Sequence, residues 1–112
     1  MLYNYKGTIV RWVDGDTVIV DIDLGFYVTR QERLRVARID TPEIRTRDKE
    51  EKAKGIEATE ACNKLCPVGG PVRIFTKKKD RYGRYIAEVW NSDEVNVSDY
   101  LIEKGLATEV KY

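Results

Sequence analysis

Two runs of alternating and β-branched residues, Tyr5-Lys-Gly-Thr-Ile-Val-Arg-Trp-Val13 and Thr17-Val-Ile-Val-Asp-Ile-Asp-Leu24, lie either side of Asp14-Gly15-Asp16. Alternation at period two commits both runs to strands, and the short turn between them makes the strands antiparallel partners. Gly15 permits the positive φ that tight hairpins require, while Asp14 and Asp16 are placed to cap turn amides or to meet a cation. A second connection begins at Gly25. The run Arg33-Leu-Arg-Val-Ala-Arg-Ile39 then supplies a third strand, which must stop where Pro42 removes a ladder donor.

The corner that follows, Asp40-Thr41-Pro42-Glu43, is conformationally restricted, because a residue before proline is pushed to extended backbone angles. Thr41 therefore holds its carbonyl in a fixed direction beside the Asp40 carboxylate, which suits an oxygen-seeking cation. Period two puts Arg35 and Asp40 on opposite faces of a regular strand, so the two would share a pocket only past a bulge or strong twist near Ala37 to Ile39.

Helix formers fill Lys49 to Leu65, with apolar positions Ala53, Ile56, Ala61 and Leu65 and an interruption at Gly55. Cys66-Pro67-Val-Gly-Gly-Pro71 ends this helix. Val72–Thr76 and Arg84–Trp90 read as strands joined by Lys77 to Gly83. Val95–Leu106 reads as an amphipathic helix with Val97, Leu101, Ile102 and Leu106 on one side, ended at Gly105. The order β-β-β-α-β-β-α predicts an α+β fold, a five-stranded OB-fold barrel with a helix between strands three and four, as a single domain over residues 1–112.

A chain of 112 residues, 42% hydrophobic and 35% charged, matches one domain with a modest core. No run approaches a membrane span and Met-Leu-Tyr-Asn-Tyr-Lys is no signal peptide, so the chain as given is expected in the cytoplasm. Cys62 and Cys66, four apart on a helix, read as small buried thiols. The absence of histidine removes Ser-His and Cys-His mechanisms and imidazole metal ligands, leaving acid–base work to carboxylates. Net charge is +1, but residues 30–47 carry +3 and residues 77–84 carry +4, which leaves −6 on the rest (1 − 3 − 4). A basic strip on an acidic body binds a polyanion locally.

Three motifs in register, D-G-D-T at Asp14 to Thr17, R-x-x-x-x-D-T-P-E from Arg35 to Glu43 and D-x-Y-G-R from Asp80 to Arg84, with a closing G-L-A at Gly105 to Ala107, resemble the staphylococcal nuclease (thermonuclease) family. The resemblance implies Ca²⁺ held by Asp16, Asp40 and the Thr41 carbonyl. It implies Arg35 and Arg84 as forks on the phosphoryl oxygens, and Glu43 as the carboxylate that orients or deprotonates the attacking water. Tyr82 corresponds to one tyrosine of the family's nucleotide pocket. Lys111, followed by Tyr112, falls at the spacing of the second, and Arg81 beside Tyr82 completes the candidate substrate-binding set.

The activity so implied is calcium-dependent hydrolysis of DNA and RNA with little sequence selectivity, leaving 3′-phosphate ends, by a monomer that prefers single strands. The rival reading is an OB-fold nucleic-acid or protein-binding module. Family-like domains of that kind are expected to lose the acids and arginines that Asp16, Arg35, Asp40, Glu43 and Arg84 retain here.

Overall fold

The computed structural model describes residues 3–79 and 83–110. The first alternating run forms β1 (Tyr3–Asp14) and the second forms β2 (Thr17–Asp23), paired antiparallel from Lys6↔Asp23 to Asp14↔Thr17. β3 (Thr29–Val36) continues the meander with Asp23↔Thr29 and Thr17↔Arg35 in register. Alternation buries Val18, Val20, Ile22, Leu34 and Val36 inside and turns Asp21, Gln31, Arg33 and Arg35 outward.

The third strand does not run unbroken to Asp40. It stops at Val36, turns through Ala37-Arg38 with Arg38 in the left-handed region at φ 66°, and resumes as β4 (Ile39–Asp40). This turn, rather than a bulge, resets the alternation so that Arg35 and Asp40 share a face. A non-glycine residue in that region is strained, and the surroundings hold it there. Arg38 Nε and Nη2 donate to Glu88 Oε2 and Oε1 at 2.7 and 3.0 Å, and Nη2 reaches Asp99 Oδ1 at 3.0 Å. Ser98 Oγ donates to the Ala37 carbonyl at 2.6 Å, and Ala37 N–H reaches the Ala87 carbonyl at 2.8 Å.

α1 (Lys49–Leu65) has the expected bounds, because Asp48 accepts from the Glu50 and Glu51 amides at its start. Its buried face matches the expected stripe at Ala61 and Leu65, which pack against the core, and differs from it in the first two turns. Gly55, Ala58 and Cys62 face the barrel, whereas Ala53 and Ile56 are exposed, since only small residues fit where the helix meets neighbouring backbone. Trp12 Nε1 donates to the Cys66 carbonyl at 3.0 Å and ties the helix end to β1. Cys62 and Cys66 are buried and unlinked as expected, and burial pushes the Cys66 thiol up to about 12.

β5 (Pro71–Lys79) outruns the expected strand and β6 (Tyr85–Trp90) pairs with it antiparallel. β6 also runs parallel to β3 and β5 runs antiparallel to β1, closing a barrel in the order β1-β2-β3-β6-β5. This is the expected five-stranded OB-fold. α2 (Val97–Glu103) is shorter than the expected helix, because the Asn96 side chain accepts from Asp99 N–H and caps it at one end. Lys104 and Gly105, at φ 72°, end it at the other. β7 (Thr108–Glu109) then pairs with β4 through Asp40↔Thr108, and Val110 N–H donates to the Arg38 carbonyl at 2.8 Å.

Candidate active site

The mouth of the barrel is built where the β1–β2 turn meets the Thr-Pro corner. Gly15 is not among the residues with positive φ; its lack of a side chain serves packing instead. A Cβ there would lie 2.8 Å from Thr41 Cγ2 and 3.0 Å from Ala58 Cβ, so glycine lets the turn, the corner and α1 close on one another. Gly55 does the same from the helix side, since its Cβ would meet the Pro42 carbonyl oxygen at 2.7 Å and the Glu43 carbonyl group at 2.9 Å.

Asp16 is thereby buried beside Thr41. Its carboxylate accepts from Thr41 N–H at 3.1 Å and from Thr17 Oγ1 at 3.2 Å. Arg35 Nη1 stands 3.3 Å from Asp16 Oδ2, and Nη2 donates to Asp40 Oδ1, also at 3.3 Å. The same guanidinium reaches the Asp16 and Val36 carbonyls at 3.3 Å, which fixes its plane. Three groups predicted for one pocket thus meet there, from a hairpin turn, β3 and β4. Burial alone would raise the Asp16 pKa. The hydrogen bond with Asp14, the Arg35 charge, the Thr41 amide and the Thr17 hydroxyl outweigh it and hold Asp16 below the usual carboxylate range. Asp14 moves the other way, to about 6, through burial and then through the hydrogen bond and charge of Asp16. The two acids are tied through the turn, since Asp16 N–H donates to Asp14 Oδ1 at 3.1 Å.

The donor set fits a hard cation. Asp16, Asp40 and the Thr41 carbonyl offer only oxygen, and the buried Thr41 hydroxyl has no hydrogen-bond partner. Among the described residues no three His, Cys, Asp or Glu side chains converge. A cation here would therefore rest on two carboxylates and main-chain oxygen, completed by water or phosphate.

Glu43 lies three residues beyond Asp40 with an exposed side chain, its peptide pinned against Gly55. Arg84 is half-buried immediately before β6, whose Tyr85↔Leu34 register places it at the same end of the barrel as Arg35. Arg81, Tyr82, Lys111 and Tyr112 lie outside the described residues. A cleft beside the site is lined by Asp40, Thr41, Pro42, Asp48, Glu50, Glu51, Lys54 and Thr108. Its acidic wall repels phosphate, so a polyanion must approach over the Arg35 side.

The basic strips are less available than their net charge implies. Arg30 pairs with Glu32, Arg35 with Asp16 and Asp40, and Arg38 and Lys77 with Glu88. Neither Arg38 nor the packing role of the two glycines follows from the motifs. The one signal in the sequence was a glycine inside a helix, where propensity argues against it.

A family model described as "Staphylococcal nuclease homologue" matches residues 33–112. The thermonuclease of Staphylococcus hyicus is 36% identical over 106 residues, covering 93% of this chain and 57% of its own length. The thermonuclease of Staphylococcus intermedius is 35% identical over 113 residues, covering 87% of this chain and 55% of its own. The micrococcal nuclease of Shigella flexneri is 29% identical over 118 residues, covering 97% of this chain and 60% of its own. The chain thus spans somewhat more than half the length of these relatives. With the barrel, the Asp16–Arg35–Asp40 arrangement and the family match in agreement, the chain belongs to the staphylococcal nuclease family.

Proposed function

We propose that this protein is a Ca²⁺-dependent nuclease that hydrolyses phosphodiester bonds in DNA and RNA with little sequence selectivity, prefers single strands and leaves 3′-phosphate ends. The observation that carries the reading is the convergence of Asp16, Arg35, Asp40 and the buried Thr41 at one barrel mouth. Asp16, Asp40 and the Thr41 carbonyl would hold Ca²⁺, which when bound polarises a phosphoryl oxygen. Arg35 would turn its fork from the carboxylates to the phosphate, and Arg84 would meet the same group from the neighbouring strand. Glu43, free of any hydrogen bond or ion pair among the described residues, is the carboxylate left to orient a water and take its proton as the water oxygen bonds to phosphorus. The bond from phosphorus to the 5′ oxygen breaks, and the departing oxygen takes up a proton while the arginines balance the equatorial charge.

The test is digestion of denatured DNA by chelator-treated protein with and without added Ca²⁺, comparing wild type with Glu43→Gln. Calcium-restored cleavage that drops by orders of magnitude in the variant is the expected result. Oligonucleotide binding without cleavage under any divalent cation would replace this reading with that of a binding module.

A further inference from the structure

The far end of the β2–β3 hairpin presents Phe26 and Tyr27 to solvent, 98% and 108% exposed, flanked by Leu24 and Val28 at 43% and 51%. Gly25, Phe26 and Tyr27 are all left-handed, at φ 80°, 54° and 60°. Glycine adopts this conformation freely, but two successive aromatic residues do not. The turn is nevertheless well tied. Leu24 N–H reaches the Val28 carbonyl at 2.9 Å, Val28 N–H the Gly25 carbonyl at 2.9 Å, and Gly25 N–H the Asp23 carboxylate at 2.8 Å. Nothing in the barrel requires the two rings, since they touch none of its core.

The outer face leading from this tip to the active site carries arginines without ion-pair partners among the described residues. Arg11 on β1 and Arg33 on β3 are both exposed, and each is in register with Ile19 on the strand between them. Arg33 is two residues, and therefore one outward position, from Arg35. Thr29 to Arg35 spans six residues of strand, so the tip stands roughly 20 Å from the site. Asp21 and Asp23 also face outward but are engaged, Asp21 by Gln31 Nε2 and Asp23 by the turn amide.

We propose that Phe26 and Tyr27, with Arg11 and Arg33, form a second contact surface for single-stranded nucleic acid, outside the catalytic pocket, that holds the strand entering or leaving it. The rings stack unpaired bases and the arginines meet phosphates, the combination that single strands require. The face is continuous with Arg35, and its free charge is positive. A membrane-inserting tip would be rimmed by free cations, whereas at this hairpin Arg30 is paired with Glu32 at 2.6 Å and Lys6 lies in register with Asp23. The proposal rests on the nuclease reading for its substrate class.

The test is binding of labelled oligothymidylate to the full chain in chelator, where no turnover intervenes, using oligomers of about 12 and about 3 nucleotides. A Phe26→Asn/Tyr27→Gly variant suits the left-handed backbone, so its melting temperature should hold or rise. Its affinity for the long oligomer should fall about tenfold or more, and its preference for long over short should shrink with it. Arg11→Gln/Arg33→Gln should reduce the magnitude of the log affinity versus log salt slope by about 1.4, at roughly 0.7 per phosphate. Unchanged long-oligomer affinity in both variants, or an equal loss for the short oligomer, would overturn the proposal. So would ring-dependent binding to phosphatidylserine vesicles with oligomer affinity intact. A wild type that binds the long oligomer through these residues but never cleaves defeats the nuclease reading alone.

Discussion

Gly55→Ala separates helix propensity from the packing of the site. In an isolated helix the change is favourable by about 1 kcal/mol, because alanine loses less backbone entropy. Here the new Cβ would meet the Pro42 oxygen at 2.7 Å and the Glu43 carbon and oxygen at 2.9 Å. All three are backbone atoms of the restricted corner, so no side chain can swing aside. Overpacking of this kind costs about 1–3 kcal/mol, and subtracting the propensity gain leaves a net loss centred near 1 kcal/mol. For a domain of this size that lowers the melting temperature by about 4 °C. The corner carries Thr41 and Glu43, so the displacement should also lower kcat by roughly tenfold, since a shift near 1 Å costs up to about 10²-fold. The assay is a thermal melt beside steady-state cleavage of a short oligonucleotide. Ala53→Gly, on the exposed face of the same helix, measures the local propensity alone and should lose about 1 kcal/mol without a kinetic effect. A Gly55→Ala protein that melts higher than wild type and cleaves equally well would refute the reasoning.

Arg38→Ala should destabilise by about 2–3 kcal/mol, below the usual range for breaking a buried pair because Lys77 still reaches Glu88 at 3.1 Å. Arg38→Gly should lose less, since it relieves the φ of 66°; equal melts for the two variants would deny any strain at this turn. Burial alone would raise the Glu88 pKa, but hydrogen bonds from Arg38, Asn96 and Lys77 hold it below the ordinary value, so the native state favours the carboxylate. That contribution is complete above the unfolded carboxylate pKa and is lost as pH falls through the depressed folded value, so melts between neutral and acid pH should show a loss that Glu88→Gln flattens. Asp16→Ala and Asp40→Ala should each weaken a calcium titration as well as turnover, with Mg²⁺ a poor substitute because it demands tighter geometry and dehydrates reluctantly; an unchanged titration would show the ligands to be misassigned. Arg35→Lys should lower kcat by about 10²-fold through loss of the paired donors, and it should also lower stability without calcium, because Arg35 bridges two carboxylates and is only 13% exposed; a kcat near wild type would end the transition-state role.

The strands, the first helix and the site acids were legible in the sequence because each rests on a local rule. Alternation sets β1 and β2, a run of helix formers sets α1, and proline ends the extended run before Glu43. The family resemblance carried by the motifs likewise singled out Asp16, Arg35, Asp40 and Thr41, which the structure brings together. What period two required but could not supply was the device that turns Arg35 and Asp40 to one face. That device is a left-handed Arg38, held by Glu88, Asp99 and Ser98 from elements about 50 to 61 residues away, and no local preference of arginine encodes it. The buried face of α1 was legible at Ala61 and Leu65 but not in its first turns, for a related reason. Hydrophobicity pointed to Ala53 and Ile56, whereas the helix turns Gly55 and Ala58 inward because close backbone approach selects for small volume rather than apolar area. Gly15 sits in the turn as expected, but for space rather than for a positive φ, and a glycine in the sequence does not distinguish the two needs. Sequence determines what each segment prefers; only the folded barrel decides which backbones must touch, and the site is made where they do.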